Sequence, residues 1–353
     1  MSDLYLHIGY PKTGTSSIQL FLRDNAGALA DAGYWVPQAG MGRAGGHHNL
    51  VRALAGLPVP PHQAVETDDI LEELAGADGR HILISSEMLT GILTDSNQAS
   101  NLVRKLRSRA SRIVLIMYVR NQTQWINSAY SQGVKSFRHA GAFRPYVDDV
   151  LGNVKAYSYS KWFEIAKRLN AELRVRPFSK QVRDAGVLPD YLDTAGIARS
   201  DSFALPPRVN ESAGPFAVEA ARRLLEWIPG GANGLTLMQS TRCKLALARE
   251  MEAIDIVDGA YCGLDSDLAR TVEAAFVEEN DRFANAAWGR DWNSEFRQDV
   301  GAEFLPNDYG DTGVPVALAG PLDELVSKMK REIGSILSNK RLAVQADWNA
   351  RRV

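Results

Sequence analysis

Only two cysteines occur in 353 residues. Cys243 and Cys262 have no metal-ligand spacing, so neither a disulfide framework nor a thiolate metal site organises the chain, and both are expected as free buried thiols in a reducing compartment. Long apolar runs are also missing. No stretch approaches the roughly 20 residues needed to span a bilayer. The first apolar segment begins by Leu4, too early to leave room for a signal peptide, so the expectation is a cytoplasmic protein without stable membrane insertion. An excess of one charge is absent as well: 40 Lys and Arg against 42 Asp and Glu leave a net charge of −2. Nothing draws the whole chain to nucleic acid or anionic lipid, and any basic site must be local. No internal repeat or low-complexity segment is found. The Asn210–Ser212 sequon has no meaning without secretion. What remains is an ordinary globular composition, 45% hydrophobic and 23% charged, long enough to bury a large core.

Against that background "HIGYPKTGTSS", residues 7–17, stands out. In the G-x-x-x-x-G-K-[ST] phosphate loop, backbone N–H groups cradle phosphates and the lysine reaches the outer ones. Here Gly9 and Gly14 keep the spacing and Ser16 keeps the final hydroxyl, but Thr15 replaces the lysine, which sits earlier at Lys12. "LYLHI" before the loop reads as a strand. After it, Ile18, Phe21, Leu22 and Leu29 recur at near-helical spacing. Strand, tight loop and helix N-terminus together make an anion site, with unpaired N–H groups and the positive end of the helix dipole facing the ligand.

Further strands are predicted at 80–87, 111–120 and 171–178. Helices are predicted near 49–55, 68–76, 97–109, 121–137 and 159–169, with a short one over 186–197. Residues 34–36 read as a short apolar piece inside a loop region. Strands alternating with helices imply right-handed crossovers and a central parallel sheet, with ligands beyond the carboxyl ends of the strands. From about residue 181 the pattern becomes mostly helical. Pro215 opens one helix, 267–289 forms the clearest amphipathic stretch, and the chain ends in a charged helix and basic tail.

"YVRNQTQWINSAYSQ", 118–132, places Arg120 at the end of the most strand-like run, where a charge is costly unless it meets an anion. Ser128 follows two helical turns on. An arginine with a hydroxyl fits a second phosphate; the alternative is an ion pair with a carboxylate such as Glu87. Metal-dependent phosphoryl transferases with this type of loop offer a strand-end Asp to Mg²⁺. "MYVRN" has no acid there, and no metal is expected.

The two motifs, in this order and about a hundred residues apart, resemble the 5′-phosphosulfate loop and 3′-phosphate motif of sulfotransferases that use 3′-phosphoadenosine 5′-phosphosulfate (PAPS). The bacterial carbohydrate- and exopolysaccharide-type members are the most similar. The resemblance continues through 174–197 and 208–226, about two-thirds of the chain. It implies a P-loop-like, three-layer α/β fold with a mostly helical C-terminal part, divided into a PAPS-binding core (1–200), a helical continuation closing over cofactor and acceptor (201–310) and a C-terminal extension (311–353). It implies that Lys12 stabilises charge on the bridging oxygen, that Pro11, Thr13, Gly14, Thr15 and Ser16 surround the 5′-phosphate, and that Arg120 and Ser128 hold the 3′-phosphate. The product would be adenosine 3′,5′-bisphosphate. The glycine-rich cofactor-closing segment of cytosolic animal members is not found; "RVNES", 208–212, is either its substitute or a capped turn.

Transfer needs a base for the acceptor proton, and the family uses His or Glu. His48, His47 and Glu87 are the candidates: the two histidines follow a glycine-rich loop, and Glu87 ends a strand at the same sheet edge. His7 reads as a packed core residue. Tyr157, Tyr159 and Trp162 line either the acceptor pocket or the core. The acceptor is expected to be a small molecule or glycan, a carbohydrate first, and nothing indicates oligomeric state. Two alternatives stay open: a P-loop kinase-like enzyme using ATP, and a nucleotide-binding protein without catalysis.

Overall fold

The structure, a computed structural model, describes residues 2–60, 63–206, 213–254, 256 and 259–339. It falls into two compact units interleaved along the chain. One comprises Met1–Asn121, Ser158–Val209 and Phe276–Val300, and the other Gln122–Tyr157, Asn210–Ala275 and Gly301–Val353. Along the chain the first unit is left after Asn121, re-entered at Ser158, left again after Val209 and re-entered at Phe276.

The first unit is built on five parallel strands, β1 Asp3–Ile8, β2 Tyr34–Trp35, β3 His81–Ser86, β4 Arg112–Val119 and β5 Glu172–Pro177, in the order β2-β3-β1-β4-β5. β1 is central, with Tyr5 opposite Leu83 on one side and Val114 on the other. Its residues and those of β4 are mostly apolar on both faces, with His7 the buried exception, because helices cover both. On one face Tyr5, Leu83, Val114 and Ile116 pack with Ile18, Phe21 and Leu22 of the helix Thr15–Asp24 and with Leu188, Tyr191 and Leu192 of the helix Val187–Ala195. The helix His48–Ala55 packs with β3, and His48 reaches Ser86, whose side chain points away from that first face. The result is a three-layer α/β arrangement.

β2 was not expected as a strand. Its two residues pair with His81 and Ile82 at the sheet edge, too short a run for alternation to show. The long helix expected after the loop breaks at Asn25, whose side chain donates to the Phe21 carbonyl at 2.8 Å and also exchanges hydrogen bonds with the Ala204 backbone. Such side-chain competition with the helix ladder is what makes Asn a terminator.

The second unit is helical, with Gln122–Lys135, Phe143–Leu151, Pro215–Trp227, Leu237–Glu252 and Val316–Ser338 as its main elements. Inside it Arg222 pairs with Glu219 and Asp308, and Tyr261 donates to Asp308 at 2.6 Å. Cys243 and Cys262 both lie here as free thiols, Cys243 buried and Cys262 partly so. No described helix is long and apolar enough to cross a membrane. "RVNES" and the basic tail from 340 lie outside the described residues.

Candidate functional site

A candidate loop and two candidate residues stand at the carboxyl ends of neighbouring strands in the first unit: the loop 9–14 after β1, Glu87 after β3 and Arg120 after β4. In a parallel sheet this edge gathers ligands, because the chain turns there from strand into helix N-terminus. Gly9 N–H donates to the Ser86 carbonyl at 3.3 Å, tying the loop to β3. A Cβ on Gly9 would stand 2.6 Å from Thr15 Cγ2 and 2.9 Å from Glu87 Cγ, so only glycine allows this approach.

Gly14 caps the following helix in the left-handed conformation (φ 78°) and brings no side-chain hydrogen bond to the helix end. Ser17 N–H donates back to the Gly14 carbonyl at 3.1 Å, so the first-turn donors open to an anion are the N–H groups of Thr15 and Ser16. Thr13 is fully buried and donates its hydroxyl to the Tyr10 carbonyl at 2.6 Å, and Thr15 donates to the same oxygen at 3.4 Å. With those protons committed, what both offer a phosphate is backbone N–H. Pro11 is exposed, and Ser16 is partly exposed on the first helical turn. Lys12 is held at φ 67°, a conformation that an L-residue adopts only at a cost.

Arg120 supplies what the loop lacks. Its Nη1 donates to the Lys12 carbonyl at 3.1 Å, its Cζ lies 5.9 Å from the centroid of the Phe178 ring, and Tyr159 OH donates to its carbonyl at 2.8 Å. Its Nε is buried without a hydrogen-bond partner, and no carboxylate pairs with it among the described residues. Burial, reinforced by the neighbouring Arg183 cation and opposed by the charge of Asp299, brings its pKa down from 12.5 to about 10. The expected alternative of an Arg120–Glu87 pair is not what the fold builds. Sequence reading missed Arg183, whose own charge is taken by the fully buried Asp299 at 2.5 Å, an acid that also accepts the Lys180 N–H at 2.8 Å. These partners lie more than a hundred residues apart in sequence, so no local signal joins them.

Among the candidate bases, His47 is excluded by its surroundings. It is completely buried, Nε2–H donates to the Pro37 carbonyl at 3.0 Å, and Nδ1 accepts the Ser85 N–H at 3.1 Å. Neither nitrogen is left for an acceptor proton, and burial lowers its pKa to about 4. His48 is partly buried, with Nδ1 at 2.9 Å from Ser86 Oγ and a pKa lowered first by burial and then by Arg52. Its Nε2 packs closely on Gly46, where a Cβ would come within 2.7 Å. Glu87 is exposed beside Gly9.

His7 is a core residue, its Nδ1 at 2.8 Å from Ser85 Oγ and its ring edge-on to Tyr118 and Tyr191. Tyr159 and Trp162 are buried too, so the core reading holds for both. Tyr157 packs on Trp125 within the second unit. Ser128 is likewise in that unit, buried on the helix Gln122–Lys135. Among the described residues no three His, Cys, Asp or Glu side chains gather as metal ligands would.

The two buried histidines give a pH prediction. Burial pulls His7 down to about 3 and His47 to about 4 from an ordinary 6.5. The unfolded chain therefore takes up protons below pH 6.5 that the folded one refuses, and stability falls as pH falls. Two such groups at about 1.4 kcal/mol per pH unit amount to about 4 kcal/mol by pH 5. Urea unfolding at pH 7.5 and 5.0 measures this, and equal midpoints would refute the burial of both rings.

No protein-family model matches the chain, and no curated protein is significantly similar to it. Among solved structures it is similar to the crystal structure of a sulfotransferase from Alicyclobacillus acidocaldarius, with a TM-score of 0.35 and 14% identity, over 71% of this chain and 96% of that one.

Proposed function

We propose that the chain is a sulfotransferase that passes the sulfuryl group of PAPS to a hydroxyl or amine, with a carbohydrate or glycoconjugate precursor as the favoured acceptor class. The observation that carries this reading is Arg120: a mostly buried guanidinium, in no ion pair among the described residues, bonded to the backbone of a glycine loop whose helix end has no side-chain cap. Such a cation is costly unless an anion completes it. The loop and Arg120 together present two donor sets, which suits a ligand with two separate anionic groups. Adenosine 3′,5′-bisphosphate and its phosphosulfate are such ligands, and both sequence motifs resemble those that hold them.

PAPS, when bound, supplies the activated sulfuryl group. The protein's residues do the rest. Backbone N–H groups from Thr13 to Ser16 would receive the 5′-phosphate, and the Arg120 fork the 3′-phosphate; the part of Ser128 there rests on the motif alone. Lys12 would place its ammonium against the oxygen on which charge grows, an electrostatic contribution that a preorganised donor makes without rearrangement. For the acceptor proton, His48 is the favoured base. Burial keeps its ring neutral at pH 7, Ser86 fixes its orientation, and Nε2 makes no hydrogen bond among the described residues. Glu87, beside the loop, is the alternative.

Isothermal titration in EDTA tests the reading. Adenosine 3′,5′-bisphosphate is expected to bind at least about tenfold more tightly than 5′-AMP, the worth of one or two charge-assisted hydrogen bonds. If ATP with Mg²⁺ binds and the bisphosphate does not, the loop belongs to a phosphoryl-transfer enzyme.

A further inference from the structure

A second basic site lies at the other end of the sheet. Strands β4 and β5 begin at Arg112 and Glu172, and each is entered from a helix: Ser96–Arg107 and Lys161–Arg168. Because the sheet is parallel, these amino ends face away from the loop 9–14. Between the two helix ends runs an open groove of about 630 Å³, lined by Asn101, Arg104, Arg107, Arg168, Leu169 and Asn170, among others.

The arginines are held without being neutralised. Arg107 donates to the carbonyls of Leu169 and Asn170 at 2.5 and 2.7 Å, and Arg168 to the Leu93 carbonyl at 2.7 Å and Ser96 Oγ at 3.0 Å. Carbonyls and a hydroxyl orient a guanidinium and offset only part of its charge. No ion pair among the described residues includes Arg104, Arg107 or Arg168. The nearest strand-end acids are already engaged: Asp3 binds Arg112 at 2.6 Å, and Glu172 binds Arg112 at 3.0 Å and Arg174 at 2.6 Å. Arg104 and Arg107 are three residues apart and so share one helix face; Arg168 lines the same groove from the second helix, its guanidinium held near the start of the first at Leu93 and Ser96.

We propose that this groove binds a polyanionic saccharide, a chain carrying sulfate or carboxylate groups, at a site separate from the loop. Three planar forks in one groove match several oxyanions in a row better than a single one. The amide side chains of Asn101 and Asn170, both exposed, suit sugar hydroxyls. No aromatic side chain lines the groove, so the stacking platform that a single-stranded nucleic acid uses is missing. The proposal does not depend on the transfer reaction, and its test leaves the bisphosphate site untouched.

The full chain is titrated with a fully sulfated hexasaccharide, its unsulfated counterpart, inorganic sulfate and a hexanucleotide RNA, and the titration is repeated on Arg104→Glu. Arg104 is exposed and holds no other group, so this variant is expected to keep the wild-type melting temperature and bisphosphate affinity. Arg168→Gln serves as a second variant. The expected result is binding of the sulfated sugar alone, weakened at least about tenfold by Arg104→Glu, the loss of a charge-assisted contact together with the repulsion introduced. Equal affinity in wild type and Arg104→Glu overturns the proposal. So does binding of sulfate with no gain from the sugar, and so does RNA binding more tightly with the same arginine dependence.

Discussion

Arg120→Met is expected to lower the affinity for adenosine 3′,5′-bisphosphate at least about a hundredfold, two charge-assisted hydrogen bonds being worth about 3 kcal/mol or more, while leaving the ligand-free protein no less stable. The second half separates an anion site from a structural arginine. Holding the guanidinium charged in its buried place, where its pKa is about 10 instead of 12.5, costs the native state on the order of 3 kcal/mol. That cost applies throughout the range below pH 10 and lifts only as pH rises above it, since the folded chain binds this proton more weakly than the unfolded one. Against it stands the hydrogen bond to the Lys12 carbonyl, worth about 1 kcal/mol. Methionine fills the volume and removes the charge, so the apo variant should unfold at the same urea concentration or higher. Arg120→Lys should not restore binding, because an ammonium cannot hold the loop carbonyl and present a planar fork together. Calorimetry with the bisphosphate and urea titration of the apo protein measure the two halves. A variant that binds normally, or whose apo form is several kcal/mol weaker, would show that Arg120 serves the fold and not a ligand.

Lys12→Gly is expected to slow sulfuryl transfer by about 10² to 10³, the range found when a donor aimed at developing charge is removed, with bisphosphate affinity falling far less. Glycine is chosen because Lys12 sits at φ 67°, where an L-residue costs about 1 kcal/mol that glycine does not. The variant should therefore fold as well as the wild type or slightly better. A dead enzyme with an intact fold would place the strained residue at the chemistry, as expected where strain is kept for function. The readout is single-turnover conversion of PAPS to the bisphosphate, with the acceptor found by screening. Turnover within threefold of wild type would remove Lys12 from the mechanism, whatever the bisphosphate does.

Much of this site can be read along the chain because its parts are local. Gly9, Lys12 and Gly14 fall within six residues between a strand and a helix, and a turn of that kind announces itself through glycine spacing and the switch of hydrophobic period. Arg120 is legible for a similar reason, as a charge ending the longest apolar strand. The histidine pair is not. His47 and His48 are adjacent and chemically identical, yet one has both nitrogens engaged and the other has one hydrogen bond. Successive residues at a helix start point in different directions, and what each meets depends on β3, nearly forty residues further on. Thr13 and Thr15 tell the same story: their hydroxyls look like phosphate ligands in sequence and turn inward to the Tyr10 carbonyl in the fold.

Sequence alone determined the parallel α/β core, the phosphate-type loop with its displaced lysine and the strand-end arginine, since each depends on neighbours a few residues away. Tertiary structure alone decided which histidine keeps a nitrogen available, that Arg120 grips the loop and pairs with no acid among the described residues, that Asp299 occupies Arg183, and that three arginines line one groove. Those outcomes depend on which side chains distant segments bring within about 3 Å, the reach of a hydrogen bond, and on whether burial leaves a charge paired. A one-dimensional pattern carries no information on either.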